Sequence, residues 1–228
     1  MPVADQAGSG MSEAGRLVLH GYWRSGTSYR TRIALNIKGL RYEQVTLDLR
    51  AGAQRSDAYL ALNPQGLVPA LETDTAVLTQ SGAIIEWLEE RYPDPPLLPA
   101  DAESRAVVRA MAMTIGCDVH PLGNLRVLKY LRHELGADEA QVQRWLETWM
   151  RAGFTALEAM IARHGGRFAF GDALTLADCH IVPQVYAAER FGIGLEDFPR
   201  LRAAADHAAA EPPVRLAHPS LQPDADAA

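Results

Sequence analysis

Cysteine is scarce: among 228 residues only Cys117 and Cys179 occur, and neither belongs to a Cys-x-x-Cys pair. That count excludes a disulfide framework and argues against dithiol redox chemistry. Long apolar runs are missing too, since nothing approaches the roughly 20 residues a membrane helix needs. The opening MPVADQAGSGMSEA has neither the basic start nor the apolar stretch of a secretion signal, so a cytosolic protein with no membrane partner is expected. Positive charge is in deficit, with 22 Lys and Arg against 28 Asp and Glu and a net charge of −6. Such a chain has no net pull toward a phosphate backbone, and no nucleic-acid partner is expected. There is no G-x-S-x-G nucleophile motif and no internal repeat. Cys117-Asp118-Val119-His120 offers one thiol and one imidazole without a second pair, which falls short of a zinc site, so no metal is expected.

The composition that remains, 48% hydrophobic and 22% charged, is that of a globular protein with ample core material. The length fits two modest domains. Residues 1–14 read as a flexible extension. LVLHGYW from Leu17 reads as a strand, and in YRTRIALNIKGL the helical spacing of Tyr29, Ile33, Ala34 and Ile37 predicts a helix stopped at Gly39. YEQVTLDL alternates as a strand, LVPALET and AVLTQ read as two short strands about a turn at Thr73 to Thr75, and Ser81 opens a helix ending at Tyr92. The order β-α-β-(α)-β-β-α predicts a small mixed sheet with helices packed on it over residues 15–95. PDPPLLPAD, with four prolines in nine residues, reads as a linker. From residue 101 to 228 the periodicity is helical throughout, which predicts an all-α domain.

Three clusters carry chemistry. Arg24-Ser25-Gly26-Thr27-Ser28 lies between the first strand and the first helix, where unpaired N–H groups and the helix dipole favour an anion. A lone Ser or Thr there serves as an N-cap; three hydroxyls with an arginine point further, to stabilising a bound thiolate. In Leu67-Val68-Pro69-Ala70 the proline interrupts a strand, as an edge residue or as a cis turn that exposes the Val68 backbone to an extended peptide ligand. Gln80-Ser81 precedes a helix, either as its cap or as a carboxylate seat. Thr175-Leu176-Ala177-Asp178 matches a capping box and reads as a folding signal. Arg126, Lys129, Arg132 and Arg190 read as surface charges by default, although arginine also grips carboxylates bidentately.

The strings WRSGTS, NPQGLVPAL and TQSGAIIEWLEERYP, followed by a helical domain, resemble the cytosolic glutathione transferases. More narrowly the chain is similar to the zeta class, through Arg24 to Ser28, Ala61 to Pro69, His120 to Leu128, Val182 to Phe191, and the closing His218-Pro219 and Gln222-Pro223-Asp224. The resemblance implies a thioredoxin-like α/β domain followed by a helical bundle, a homodimer, and glutathione as cofactor. It implies cis–trans isomerisation of maleylacetoacetate to fumarylacetoacetate in aromatic amino-acid breakdown. A bacterial branch acts on maleylpyruvate in the gentisate pathway, and general conjugation of small electrophilic acids is a further alternative. Carried over by motif, Ser25 is the thiol-activating serine, with Gly26, Thr27 and Ser28 completing its loop. Gln54, Val68, Gln80 and Ser81 hold the glutathione backbone and γ-glutamyl group, while His120, Asn124 and Arg126 approach from the helical domain. Asp118 reaches a partner subunit's glutathione. Gly66 stands where eukaryotic members carry a lysine, a departure that bears on affinity. The expected mechanism is thiolate addition to the cis double bond, rotation and elimination, with Arg24 and Arg190 holding the carboxylate and polarised oxygens of a dicarboxylate substrate.

Overall fold

A computed structural model describes residues 15–226, so the expected extension at 1–14 lies outside the described residues. Strand β1 (Val18–Gly21) is buried along its whole length and sits in the middle of the sheet. Helix α1 (Gly26–Ile37) returns the chain to β2 (Glu43–Thr46), which pairs parallel with β1. A short helix α2 (Asp57–Leu62) leads to β3 (Ala70–Glu72) and β4 (Val77–Thr79), and α3 (Ser81–Arg91) closes the unit. The sheet order is β2-β1-β3-β4, with β3 antiparallel to both neighbours and Leu19 opposite Leu71. These two leucines, with Tyr29, Ile33, Ile84 and Leu88 from the covering helices, form the core of a thioredoxin-like unit. The second strand is shorter than YEQVTLDL suggested and exposed at all four positions, as an edge allows.

The proline-rich linker carries no regular element, but it is not a free tether. Leu97 and Leu98 are buried in the common core. Their amides donate to the Glu89 carboxylate at 2.8 and 3.2 Å, and the buried Lys38 ammonium donates to the same carboxylate at 2.6 Å and to Pro95 O at 2.7 Å. Leu97 O in turn accepts from Leu176 N at 2.8 Å, so this joint ties α1, α3 and the helical bundle together.

The bundle comprises α4 (Ala102–Met113), α5 (Leu125–His133), α6 (Glu139–His164), α7 (Leu176–Arg190), α8 (Pro199–Ala210) and α9 (Pro212–Leu216). Between α4 and α5 the helix widens into a π turn (Thr114–Val119) and tightens into a 3₁₀ turn (His120–Gly123). Such pitch changes re-aim side chains and recur at functional sites. Gly153 of α6 makes room for this one, because a Cβ there would overlap Val119. At the start of α7 the Asp178 carboxylate, 1% exposed, accepts from Thr175 N at 2.8 Å, Thr175 Oγ1 at 2.9 Å and Ala169 N at 3.0 Å. The folding signal read at Thr175 to Asp178 therefore also pins the preceding loop.

Beyond α9 the chain returns to the α/β unit. Asp224 accepts from Trp23 N at 2.9 Å, and Arg50 holds Asp226. The buried Arg32 donates to Ala217 O at 3.1 Å and to Trp23 O at 2.9 Å. Trp23, the residue before Arg24, is thus held from both sides.

Candidate active site

The site begins at the first turn of α1. Ser25 is extended and caps the helix, its Oγ accepting from Ser28 N at 3.3 Å. The same Oγ lies 2.9 Å from Thr27 Oγ1, and Thr27 donates its hydroxyl proton to Val68 O at 2.9 Å. Thr27 has one proton to give, so the Ser25 hydroxyl is the donor between the two. Ser25 can turn that proton toward an incoming sulfur, and Thr27 then supports it from behind by turning its own proton from Val68 O to Ser25 Oγ. Ser28 serves the loop instead, being fully buried, with its Oγ accepting from Tyr22 N at 3.3 Å.

In front of this turn a cleft of about 380 Å³ runs between the α/β unit and the bundle. Thr27, Val68, Gln80 and Ser81 line one wall, and His120, Asn124 and Arg126 line the other. The Val68–Pro69 bond is cis. Val68 N–H meets no acceptor among the described residues. The N-cap of α3 is Gln80, with φ of 68°, so Ser81 is the first helical residue and not the cap. Gln80 gives no side-chain cap, and its amide bonds Gln65 Oε1 at 2.6 Å instead. A non-glycine residue in this region of φ is held at a cost of order 1–3 kcal/mol, and such positions cluster where ligands are clamped. The first N–H groups of α3 are left without a side-chain cap at the edge of the cleft.

Five expected ligand residues, Ser25, Gly26, Ser28, Gln54 and Asp118, are not in the lining of this cleft, although Gly26 lines the recess beside it. Gln54 sits in the turn before α2, its Oε1 buried and without a hydrogen-bond partner among the described residues. Asp118 is exposed on the π turn and does not line the cleft. Gly66 has φ of 61°, and a Cβ there would stand 3.1 Å from Gln54 O, so the missing lysine reflects backbone geometry at this turn.

A smaller recess opens on the other side of His120, lined by Arg24, Gly26, Gln184, Tyr186 and Arg190. Arg24 lies over the Trp23 ring and Arg190 over Phe191, 5.1 and 4.4 Å from the centroids. Neither arginine makes an ion pair among the described residues. Burial, and then the like charge of Arg24, lower the Arg190 pKa, so the two guanidinium groups feel one another. His120 lines both cavities; burial, reinforced by Arg30 and His180, pushes its pKa well below the ordinary imidazole value. It is a neutral ring at neutral pH.

The floor holds two residues that local sequence does not single out. Arg30 and His180 line the cleft and are 3% and 1% exposed. The available signal for Arg30 is its place three residues after Thr27, which puts both on one helix face. His180 lies one turn beyond Leu176 and its Nδ1–H donates to Leu176 O at 2.9 Å.

Residues 19–96 match the glutathione S-transferase N-terminal domain and residues 125–216 its C-terminal domain. A Ralstonia protein named maleylpyruvate isomerase is 54% identical over 209 residues, covering 90% of this chain and 98% of that protein. The chain belongs to the zeta-class glutathione transferase family. Within it, a Pseudomonas aeruginosa protein named maleylacetoacetate isomerase is 52% identical, covering 92% of this chain and 99% of its own length. A crystal structure of maleylacetoacetate isomerase from Methylobacterium extorquens, with bound malonate and glutathione, superposes with a TM-score of 0.88 at 39% identity, covering 92% of this chain and 100% of that one. Placed on this zeta-class frame, the cleft and the recess are two compartments meeting at His120, and a Cβ on Gly26, which lines the recess, would stand 3.4 Å from the imidazole. Among the described residues no helix is long and apolar enough to cross a membrane.

Proposed function

We propose that this zeta-class transferase is a glutathione-dependent cis–trans isomerase of maleyl-type dicarboxylates, converting maleylacetoacetate to fumarylacetoacetate. The observation that carries the reading is the convergence of Arg24 and Arg190, without acidic partners among the described residues, on a recess lined also by Gly26, the residue after Ser25. The residues present fit glutathione: Val68 offers an unpaired N–H to an extended peptide, the uncapped start of α3 offers N–H groups to a carboxylate, and Ser25 offers a proton to a sulfur. Glutathione, when bound, supplies the nucleophilic sulfur that makes the double bond rotatable and leaves unchanged. Ser25 stabilises the charged form of that sulfur, and the start of α1 adds its dipole. Arg24 and Arg190 hold the carboxylates and the oxygen on which negative charge develops. His120, neutral, divides the two compartments. The second reading, maleylpyruvate as substrate, is supported by the Ralstonia relative's name.

The proposed working units are residues 15–95 and 101–228, with the cleft between them. A homodimer is proposed as well, with exposed Asp118 directed to the partner's glutathione, and the enzyme is proposed to be cytosolic.

The test is a side-by-side assay of maleylacetoacetate and maleylpyruvate with and without glutathione, following free thiol throughout. Glutathione-dependent turnover with thiol conserved is expected; steady thiol depletion would make the protein a conjugating transferase. Ser25→Ala is expected to raise the thiol pKa of the glutathione complex by about one unit, because a hydrogen bond to the charged form is lost. Activity near pH 7 then falls about tenfold, or about 1.4 kcal/mol. Thr27→Val, which removes only the support behind Ser25, is expected to shift the titration less. An unchanged thiolate titration in Ser25→Ala would remove the activating role.

A further inference from the structure

Arg30 and Arg32 occupy the same helix and are both buried, yet the protein treats them differently. Arg32 donates to two carbonyls, Trp23 O and Ala217 O. Arg30, 3% exposed at the floor of the cleft, has no hydrogen bond from its guanidinium and no carboxylate partner among the described residues; its Nε is enclosed and unpaired. The titratable groups around it do not supply a counter-charge. On the 3₁₀ turn and α7, His120 and His180 are held neutral by burial and by Arg30 itself, His180 down to about 3. On the π turn stands the Cys117 thiol. Glu86 of α3 lines the same cleft, but both its oxygens are taken by Arg109, at 2.7 and 2.9 Å. Arg126 of α5 adds positive charge. Burial lowers the Arg30 pKa to about 10, which leaves the group charged at neutral pH. An unpaired buried cation costs stability, and its persistence in a ligand cleft calls for an anion in the bound state.

We propose that Arg30 is a fixed cation kept for the sulfur of bound glutathione, acting through space from behind the Ser25–Thr27 turn to favour thiolate over thiol. The proposal rests on the glutathione reading above. Ser25 touches the sulfur, whereas Arg30 supplies field, as an electrostatic positioning residue. A unit charge about 8 Å away in surroundings of intermediate dielectric shifts a titration by on the order of one pH unit.

The experiment compares the full-length enzyme with Arg30→Met and Arg30→Lys. Without glutathione, Arg30→Met is expected to melt at the wild-type temperature or above, because an unpaired charge gives way to an apolar chain of similar reach. By calorimetry it binds glutathione within about threefold of wild type at a pH below the thiol titration, where the bound sulfur carries no charge for Arg30 to act on, and about tenfold more weakly above it. Thiolate absorbance against pH in that complex shifts upward by about one unit, and Arg30→Lys restores most of the shift. A wild-type thiol pKa in a normally folded Arg30→Met complex overturns the proposal while leaving the glutathione site standing. A fall in melting temperature without ligand also overturns it, by making Arg30 a packing element. No glutathione binding by the wild type would sink the site reading itself, and this inference with it.

Discussion

Arg190→Ala is expected to lower kcat/KM for the cis dicarboxylate by roughly 10²- to 10³-fold, with Arg24→Ala close behind. The magnitude, about 2.7 to 4 kcal/mol of transition-state stabilisation, is that of removing one preorganised charge or donor from a developing oxyanion. Both guanidinium groups face the recess, rest on aromatic rings that restrict them, and lack ion-pair partners among the described residues, so their charge is available to substrate. Their mutual repulsion, which adds to burial in lowering the Arg190 pKa, is relieved when a dianion lies between them. The two variants should therefore be non-additive, the double variant losing less than the product of the single losses. Glutathione affinity serves as the internal control, because both side chains lie in the recess and not in the cleft. Either single variant keeping its efficiency within about threefold would remove that arginine from substrate binding.

The second large effect concerns folding. Asp178→Ala removes the acceptor for three buried donors, Thr175 N, Thr175 Oγ1 and Ala169 N, each of which costs about 1–3 kcal/mol when left unpaired. A loss of at least about 3 kcal/mol is expected, read as a drop in denaturant midpoint with the slope preserved. The wild-type group also sets a pH dependence. Burial raises its carboxyl pKa to about 6 despite the opposing hydrogen bonds. The folded state then keeps a proton that the unfolded chain has lost, so this group's contribution to stability declines as pH rises from about 4 to about 6. The alanine variant should lack that segment of the stability–pH curve. An alanine variant as stable as wild type would mean that the α7 start is held by its apolar packing alone.

Much of this architecture is legible in the sequence, and the reasons differ by element. Helix α1 can be read because Tyr29, Ile33 and Ala34 recur on one face, and the mixed sheet because short β-type runs are separated by turn residues. Ser25, Val68 and Gln80 are readable as candidates because a cap, a proline in a strand and a helix start each pose a backbone question that local sequence exposes. The π turn is hidden, since ESRAVVRAMAMTIG has ordinary helical periodicity and the widening depends on Gly153 admitting Val119 from another helix. The linker misleads for the opposite reason: its prolines rule out regular structure but say nothing of Leu97 and Leu98 being buried. Arg30 escapes because charge is read as solvent exposure, and only the tertiary fold shows a guanidinium sealed without a partner.

The bracket on Trp23 joins residues 201 positions apart in sequence, Asp224 having to be present before it can form. During vectorial synthesis the loop bearing Arg24 and Ser25 leaves the ribosome long before one of its anchors, Asp224, has been added. The nascent α/β unit can acquire its sheet and core early, but the setting of its most reactive loop waits until the helical bundle and the segment after α9 have followed it.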